Sequence, residues 1–282
     1  MAMFEQFEQV NSLLDAIAAS SAMVKIIAFF VAWLALWLPL AIPLAIALKW
    51  HPPKPLAIAQ KIPLVLSLYL LAPLALWGFA TLEGQPFAVY GLVLARSTFS
   101  SLLLGLGLGV LGIALLFSLE RWAGWIEIEQ SNRHQFVAAL LPTFTLALLI
   151  SLVEELIFRG FLLNQLQLES AAWVAAASSS LIFALLHLVW DGTEIAPQLP
   201  GLWLMGVVLV IARWADGGSL GLACGLHAGW VWGMASLDTA QLIRYTDRGS
   251  EWLTGLKKQP LAGGMGLLLL CGTGRVLWSF VR

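Results

Sequence analysis

Two adjacent acidic residues close a long apolar stretch of the chain, at a depth where a membrane would oppose their charge. Glu154 and Glu155 end the run LLPTFTLALLISLVEE, in which no earlier residue is charged. An ionised carboxylate near the middle of a membrane span costs at least about 2.5–3.5 kcal/mol. Carboxylates kept at such a depth are candidates for function, because they can accept a proton or bind a cation.

One of the two glutamates has a partner of opposite charge on its own helix. Arg159 follows Glu155 by four residues, a spacing at which two side chains share a helical face and an ion pair can form. Glu154 points about 100° away from that pair and has no such partner within its helix. The alternative interpretation is an ion pair near the membrane interface that only orients the helix.

Two histidines lie in other apolar segments, in a chain that has only four. His187 lies in LIFALLHLVW and His227 lies in GLACGLHAGWVWG. Grouped with the glutamates in the interior of a bundle, they could serve general base catalysis, in which a carboxylate activates water and a histidine stabilises an oxyanion. They could equally hold a zinc ion, because one Glu with two His is a known catalytic ligand set. The residues alone leave both possibilities open.

The elements that must position these groups are strongly apolar. Of the 282 residues, 60% are hydrophobic and 11% are charged, whereas about 25% are charged in a typical soluble domain. This composition excludes a soluble domain and a disordered chain. The net charge of −1 provides no basic surface for a nucleic acid. We therefore expect an all-α, polytopic membrane bundle that has the lipid bilayer as its partner.

Eight apolar segments are long enough to cross a bilayer, so the sequence predicts about eight transmembrane helices in a single membrane domain, residues 1–282. The segments are roughly 24–48, 62–80, 98–119, 136–158, 171–190, 200–214, 219–237 and 261–281. Apolar residues at helical spacing before them predict an interfacial N-terminal helix within residues 1–23. In the third segment, Gly105 and Gly109 have the small-residue spacing that allows two membrane helices to approach closely.

Lysine and arginine in the loops predict the orientation in the membrane. Nine of them follow the first, third, fifth and seventh segments, and five, including Arg213, lie in the other loops and the tails. This bias favours the first set in the cytoplasm and both termini outside.

The motifs around these residues resemble those of a known family. EELIFRG matches EExxxR, FALLH matches FxxxH, and HAGWV matches the start of HxxxN/D, in this order along the chain. Over about residues 136–240 the chain resembles the CPBP family, the Abi-type CAAX prenyl proteases and bacteriocin-processing proteins. The string PLAGGMGLLLL in the last segment is similar to what cyanobacterial and plant members contain.

The resemblance implies an intramembrane endopeptidase that hydrolyses peptide bonds of membrane-associated or prenylated substrates. It implies Glu154 as the general base, Glu155 and Arg159 as structural and orienting groups, and His187 and His227 as groups that position water and stabilise the oxyanion. No cofactor is required by this mechanism, although zinc is possible. The expected location is a bacterial plasma membrane, or a thylakoid membrane if the chain belongs to the cyanobacterial and plant-like branch.

The third motif is incomplete in this chain. Val231 stands four residues after His227, where the family has Asn or Asp, and tryptophans flank it on both sides. Loss of one oxyanion donor costs about 10²–10³ in rate in other enzymes. The alternatives are a non-proteolytic membrane scaffold or immunity protein of the same family, and a proton-coupled transporter with a carboxylate–histidine relay.

Overall fold

The apolar segments form helices that pack side by side as an all-α bundle. The computed structural model describes residues 2–52, 54, 56–246 and 248–281, with the side chains of residues 2–7 and 10 outside the described part. The elements are α1 (Ala2–Ala18), α2 (Ala22–Ala47), α3 (Ile58–Leu82), a short turn (Phe87–Tyr90), α4 (Arg96–Trp122), β1 (Ile126–Ile128), α5 (Arg133–Glu154), a π-helical segment (Glu155–Leu162), α6 (Leu163–Gln167), α7 (Ala172–Asp191), α8 (Leu199–Ala215), α9 (Gly221–Thr239), β2 (Ile243–Tyr245), α10 (Glu251–Thr254) and α11 (Gly264–Trp278).

Each of the eight apolar segments lies on a helix, which confirms the polytopic membrane bundle. Five stretches of the described chain are long and apolar enough to cross a membrane, and the last of them contains both α7 and α8. They are Ala22–Ala47, Ile58–Leu82, Arg96–Trp122, Gln130–Gln167 and Ala172–Ala215. Helix α9 is less apolar than these and α11 is shorter, so the number of eight crossings stays a prediction.

The N-terminal segment is helical, as its apolar spacing predicts. Helix α1 covers Ala2–Ala18. Leu13 is 61% exposed, whereas Ile17 packs against the hydrophobic core of the bundle. The predicted apolar face also includes Met3, Phe4, Phe7 and Val10, whose side chains lie outside the described part. Its location in the membrane interface therefore stays a prediction.

The helices alternate in direction, which gives the bundle two ends. At one end, Lys61 of α3 forms an ion pair with Asp191 of α7. At the other end, Lys25 of α2 lies 3.0 Å from Glu83 of α3. We call the first the basic end, because the loops there, which follow α2, α4, α7 and α9, include most of the chain's lysines and arginines. Its assignment to the cytoplasm stays a prediction.

Two loops at the basic end pair as a short β-ribbon that the sequence did not predict. Strands β1 and β2 are antiparallel, with Glu127 opposite Arg244. Ile126, the first residue of β1, is buried beneath the ribbon. The alternation in IEI and IRY is the signal for two such strands, but three residues are too few for a period of two to be recognised. The ribbon joins the loop before α5 to the loop after α9, so it links two helices that carry site residues.

Helices α4 and α9 approach closely through glycines on both. A methyl group on Gly109 would lie 2.6 Å from the carbonyl oxygen of Leu226 and 2.9 Å from Cα of Gly229. A methyl group on Gly105 would lie 2.7 Å from the backbone nitrogen of Leu226. The close contact predicted from the spacing of the two glycines is thus confirmed. It matters for the site, because the residue after Leu226 is His227.

We expect Gly109→Ala to lower the thermal unfolding midpoint in detergent, because the added methyl group overlaps the backbone of α9. Overpacking of this kind costs about 1–3 kcal/mol. Gly107→Ala is the matched control on the same helix, since a methyl group there would meet no atom of the described residues within 4 Å. Equal midpoints for the two variants would contradict the proposed tight contact.

Candidate active site

The two glutamates lie where α5 passes into a π-helical segment. Helix α5 ends at Glu154, and the π-helical segment begins at Glu155 and ends at Leu162. Every residue of this segment is buried. Single π-helical turns are rare and occur frequently at functional sites. The sequence predicted an ordinary helix here, because no residue type or spacing in EELIFRGFL marks a π-helical turn.

Aromatic side chains hold the π-helical segment in the centre of the bundle. The ring centroid of Phe161 lies 4.4 Å from that of Phe29 on α2 and 5.4 Å from that of Phe79 on α3. Phe158 packs on Phe183 of α7 at 5.1 Å. Each such pair contributes about 0.5–1.5 kcal/mol beyond the area that it buries. Three neighbouring helices therefore set the position of the segment.

A close backbone contact fixes the other side of the segment. A methyl group on Gly160 would lie 3.0 Å from the carbonyl oxygen of Tyr90, in the turn after α3. The Tyr90 side chain is 1% exposed, and its hydroxyl has no hydrogen-bond partner within the described residues. Burial, with the nearby charge of Glu83, raises the pKa of Tyr90 above its usual value, so its hydroxyl is neutral.

A buried network joins three of the predicted site residues. Arg159 donates from Nη1 to Oε1 of Glu155 at 2.9 Å, which confirms the ion pair predicted from their spacing. Nδ1 of His227 lies 2.8 Å from the same oxygen. The three side chains are at most 2% exposed. The Arg159 guanidinium also stacks over the ring of Phe183 at 4.5 Å, which is a cation–π contact.

The contact with Glu155 determines which nitrogen of His227 holds the proton. An ionised carboxylate only accepts hydrogen bonds, so Nδ1 of His227 is the donor. In the neutral ring, Nε2 is then an acceptor. Nε2 lies 3.7 Å from Oε2 of Glu154. That distance is too long for a direct hydrogen bond and suits a bridging water.

Glu154 has a different environment at each of its oxygens. Tyr69 of α3 donates its hydroxyl to Oε1 at 2.5 Å, a short distance typical of a bond to an ionised acceptor. Oε2 faces His227. Glu154 is 7% exposed and is thus shielded from bulk solvent. Tyr69 lies outside the motif region, and no pattern in the sequence singled it out.

His187 lies near this group but separate from it. Its Nδ1 is 2.9 Å from the carbonyl oxygen of Phe183, and since a carbonyl only accepts, Nδ1 is the donor here too. The ring of Phe183 lies 4.8 Å from that of His187 and 6.1 Å from that of His227. The structure thus brings Glu154, Glu155, Arg159 and His227 together, whereas His187 packs against Phe183 and donates to its carbonyl.

Arg213 supports the π-helical segment from α8. Its Nη1 donates to the backbone carbonyl of Arg159 and, at 2.8 Å, to Oδ1 of Asn164, while its Nε donates to the carbonyl of Gly218 at 3.0 Å. Its side chain is only 6% exposed. The prediction that Arg213 is one of the loop charges was therefore wrong, because its guanidinium turns inward to these acceptors. Its place at the end of an apolar segment gave no sign of this.

Val231 lies one helical turn after His227 and is half-buried. Residues four apart share a face of a helix, so its side chain follows that of His227 on the same side of α9. The structure therefore has a hydrocarbon side chain at the position where the family motif has an amide or a carboxylate.

The donors at the site do not fit a zinc ion held by three protein ligands. Among the residues that the structure describes, no three His, Cys, Asp or Glu side chains are grouped so that they could hold a metal ion. Oε2 of Glu154 and Nε2 of His227 face each other as a pair. Glu155 is engaged by Arg159 and His227, and His187 packs against the ring of Phe183 and donates to its carbonyl. A third ligand at about 2.0–2.2 Å would require one of them to move.

We expect Arg213→Met to lower the unfolding midpoint in detergent. Methionine retains much of the apolar volume but leaves the carbonyl of Arg159 and the amide oxygen of Asn164 without this donor. Each buried acceptor left unpaired costs about 1–3 kcal/mol. Arg275→Met on α11 is the matched control, since Arg275 is exposed. A midpoint for Arg213→Met equal to that of this control would show that Arg213 does not support the segment.

Comparison with known proteins gave one family. Residues 136–233 match the model of the type II CAAX prenyl endopeptidase family described as Rce1-like. The matched range contains Glu154, Glu155, Arg159, His187 and His227. Neither the curated proteins nor the solved structures gave a match. Residues 136–233 are therefore similar to the Rce1-like type II CAAX prenyl endopeptidases, which supports the resemblance to the CPBP family that the motifs predicted.

Proposed function

We propose that the protein is a CAAX-type intramembrane endopeptidase, in which Glu154 activates water to hydrolyse a peptide bond of a membrane-associated or prenylated substrate. The observation that carries this proposal is the pair of acceptors that face each other, Oε2 of Glu154 and Nε2 of His227, 3.7 Å apart. The match to the Rce1-like family supports endopeptidase activity. The identity of the substrate and the mechanism are our proposal.

Two facing acceptors hold a water molecule in one orientation. The water donates one hydrogen to Glu154 and the other to His227, so that a lone pair on its oxygen points away from both. A substrate carbonyl placed on that side meets the lone pair. Holding the water in this way lowers the entropic part of the barrier, because the nucleophile is already oriented.

The reaction follows from this arrangement. The water oxygen forms a bond to the carbonyl carbon while its proton moves to Oε2 of Glu154, and the carbonyl π electrons move to the carbonyl oxygen. When that oxyanion re-forms the carbonyl, the C–N bond breaks and the leaving amine takes the proton from Glu154. Glu154 thus acts first as general base and then as general acid, a role worth about 10²–10⁴ in rate.

Glu155 and Arg159 position His227 and do not take part in proton transfer. Glu155 accepts from Nδ1 of His227 at 2.8 Å and thereby holds the ring with Nε2 towards Glu154. A carboxylate behind a catalytic imidazole has the same orienting role in serine proteases. Arg159 keeps Glu155 in place through the 2.9 Å ion pair.

His187 lies on the side of the site nearer the basic end, one helical turn before Asp191. Since its Nδ1 donates to Phe183, its Nε2 can accept a hydrogen bond from a backbone N–H of the substrate. We assign it to substrate binding. The substrate would then enter from the basic end, in a bacterial plasma membrane or a thylakoid membrane.

A non-proteolytic scaffold is the second candidate, and Val231 is the observation that favours it. The half-buried Val231 offers no hydrogen bond to an oxyanion. In a scaffold, the network of Glu155, Arg159 and His227 would serve stability alone. Glu154 would then be dispensable.

We expect Glu154→Gln to abolish cleavage while the protein still accumulates and folds. Glutamine keeps the shape of the side chain and can accept from Tyr69, but it cannot take the proton of the water. A loss of about 10²–10⁴ in kcat is expected. The assay uses purified protein in nanodiscs with a library of prenylated and membrane peptides, read by mass spectrometry.

Glu127→Gln is the matched control, since Glu127 is on the exposed ribbon with its side chain 56% exposed. Its kcat should equal that of the wild type. If the wild type cleaves no member of the library, and Glu154→Gln supports the cellular phenotype as well as the wild type, the protein is the scaffold. If Glu154→Gln cleaves as fast as the wild type, the assignment of the base is wrong.

A further inference from the structure

Neutral His227 and neutral His187 have no N–H left to donate to the oxyanion, because each ring already uses its N–H in another hydrogen bond. Nδ1 of His227 donates to Glu155, and Nδ1 of His187 donates to the carbonyl of Phe183. The remaining nitrogen of each neutral ring is therefore an acceptor. An acceptor does not stabilise a developing negative charge. Val231, four residues after His227, has no polar atom on its side chain.

One hydroxyl donor does contact the catalytic carboxylate. Tyr69 of α3 is half-buried and donates to Oε1 of Glu154 at 2.5 Å. The same carboxylate faces His227 with its other oxygen. A water that donates to Oε2 of Glu154 and to His227 is therefore separated from the Tyr69 hydroxyl only by the carboxylate group of Glu154. Tyr69 is held in this place by the packing of α3 beside the π-helical segment, where Phe79 contacts Phe161.

The charge changes of the reaction favour a transfer of this hydrogen bond. At rest the phenol donates to an ionised carboxylate, and such a bond is about twice as strong as one between neutral groups. When the water is deprotonated, Glu154 becomes neutral and its bond from Tyr69 weakens. At the same moment a full negative charge forms on the substrate carbonyl oxygen. The best acceptor for the phenol hydrogen is then the oxyanion.

We propose that Tyr69 is a further catalytic residue, which donates its hydroxyl hydrogen bond to the oxyanion in place of the side chain that Val231 lacks. The inference rests on the proposed function and adds to it a residue from outside the matched family region. No bond to Tyr69 is made or broken, because the phenol keeps its proton and only changes its acceptor. The hydrogen bond returns to Glu154 when the leaving amine takes the proton from that residue.

The first test compares Tyr69→Phe with Tyr90→Phe. Removal of one oxyanion donor lowers kcat by about 10²–10³, so Tyr69→Phe should lose at least about 100-fold in kcat with KM nearly unchanged. Tyr90→Phe is the matched control, because Tyr90 is 1% exposed and its hydroxyl has no hydrogen-bond partner among the described residues. Its kcat should equal that of the wild type.

The second test separates an oxyanion donor from a residue that only orients Glu154. We expect the double variant Tyr69→Phe/Val231→Asn to have a kcat at least about tenfold higher than that of Tyr69→Phe alone. The reason is that the amide supplies a new donor on the same face as His227. A loss of kcat in Tyr69→Phe that Val231→Asn does not reduce contradicts the proposal, provided that the double variant keeps its unfolding midpoint.

A binding measurement keeps the proposal testable if the double variant unfolds. A phosphinate peptide, built on the sequence of the best substrate, carries its negative charge where the oxyanion forms. Its affinity should fall in Tyr69→Phe by about the same factor as kcat/KM. Unchanged affinity would overturn the proposal.

The outcomes distinguish this inference from the function on which it rests. If Glu154→Gln is inactive and Tyr69→Phe has the kcat of Tyr90→Phe, the inference is wrong and the proposed function stands. If the wild type cleaves no peptide of the library, both are wrong.

Discussion

The ion pair between Glu155 and Arg159 is the interaction on which the rest of the site depends. Both side chains are almost fully buried, at 0% and 1% exposure, so bulk solvent does not reach either charge. Removing one partner of such a pair costs about 3–5 kcal/mol, because the other is left as an uncompensated buried charge. The π-helical segment, the ring of Phe183 and the inward turn of Arg213 all act to keep this pair together in the centre of the bundle.

The pair also explains why two adjacent glutamates have different chemistry. Glu155 is committed to Arg159 and His227 through one oxygen. Within the described part of the chain, Glu154 pairs with no lysine or arginine and instead accepts from the hydroxyl of Tyr69. Its second oxygen lies 3.7 Å from Nε2 of His227, so that one water can donate to both atoms. The same residue type is therefore structural at one position and a candidate base at the next.

The sequence predicted the parts of the structure that arise from composition and local spacing. The apolar segments marked the helices, the interval of four residues marked the pair of Glu155 and Arg159, and Gly105 and Gly109 marked the close contact of α4 with α9. These features need only one helix, or one surface of it, to be recognised. The charge of the membrane-embedded glutamates was informative because lipid makes such charges costly.

Features that depend on packing between distant segments were not predictable. Tyr69 meets Glu154 across 85 positions of the chain, and nothing in its own surroundings distinguishes it from a packing residue. Arg213 had the place of an interfacial charge, although its side chain turns inward. The π-helical segment and the β-ribbon are each too short, or too similar to ordinary helix and loop, to be read from residue types. The structure also adds a detail at His227, because the hydrogen bond to Glu155 decides which nitrogen faces Glu154.

The most direct test of this account is the protonation of the His227 ring, measured by nitrogen NMR on protein with 15N-labelled histidine in nanodiscs. Spectra are recorded at alkaline pH, and the signals of His227 are assigned by their loss in His227→Gln. We expect a protonated Nδ1 and an unprotonated Nε2 in the wild type, and a mixture of the two tautomers in Glu155→Gln. A wild-type ring with its proton on Nε2 would contradict it, because that nitrogen could not then accept from the attacking water.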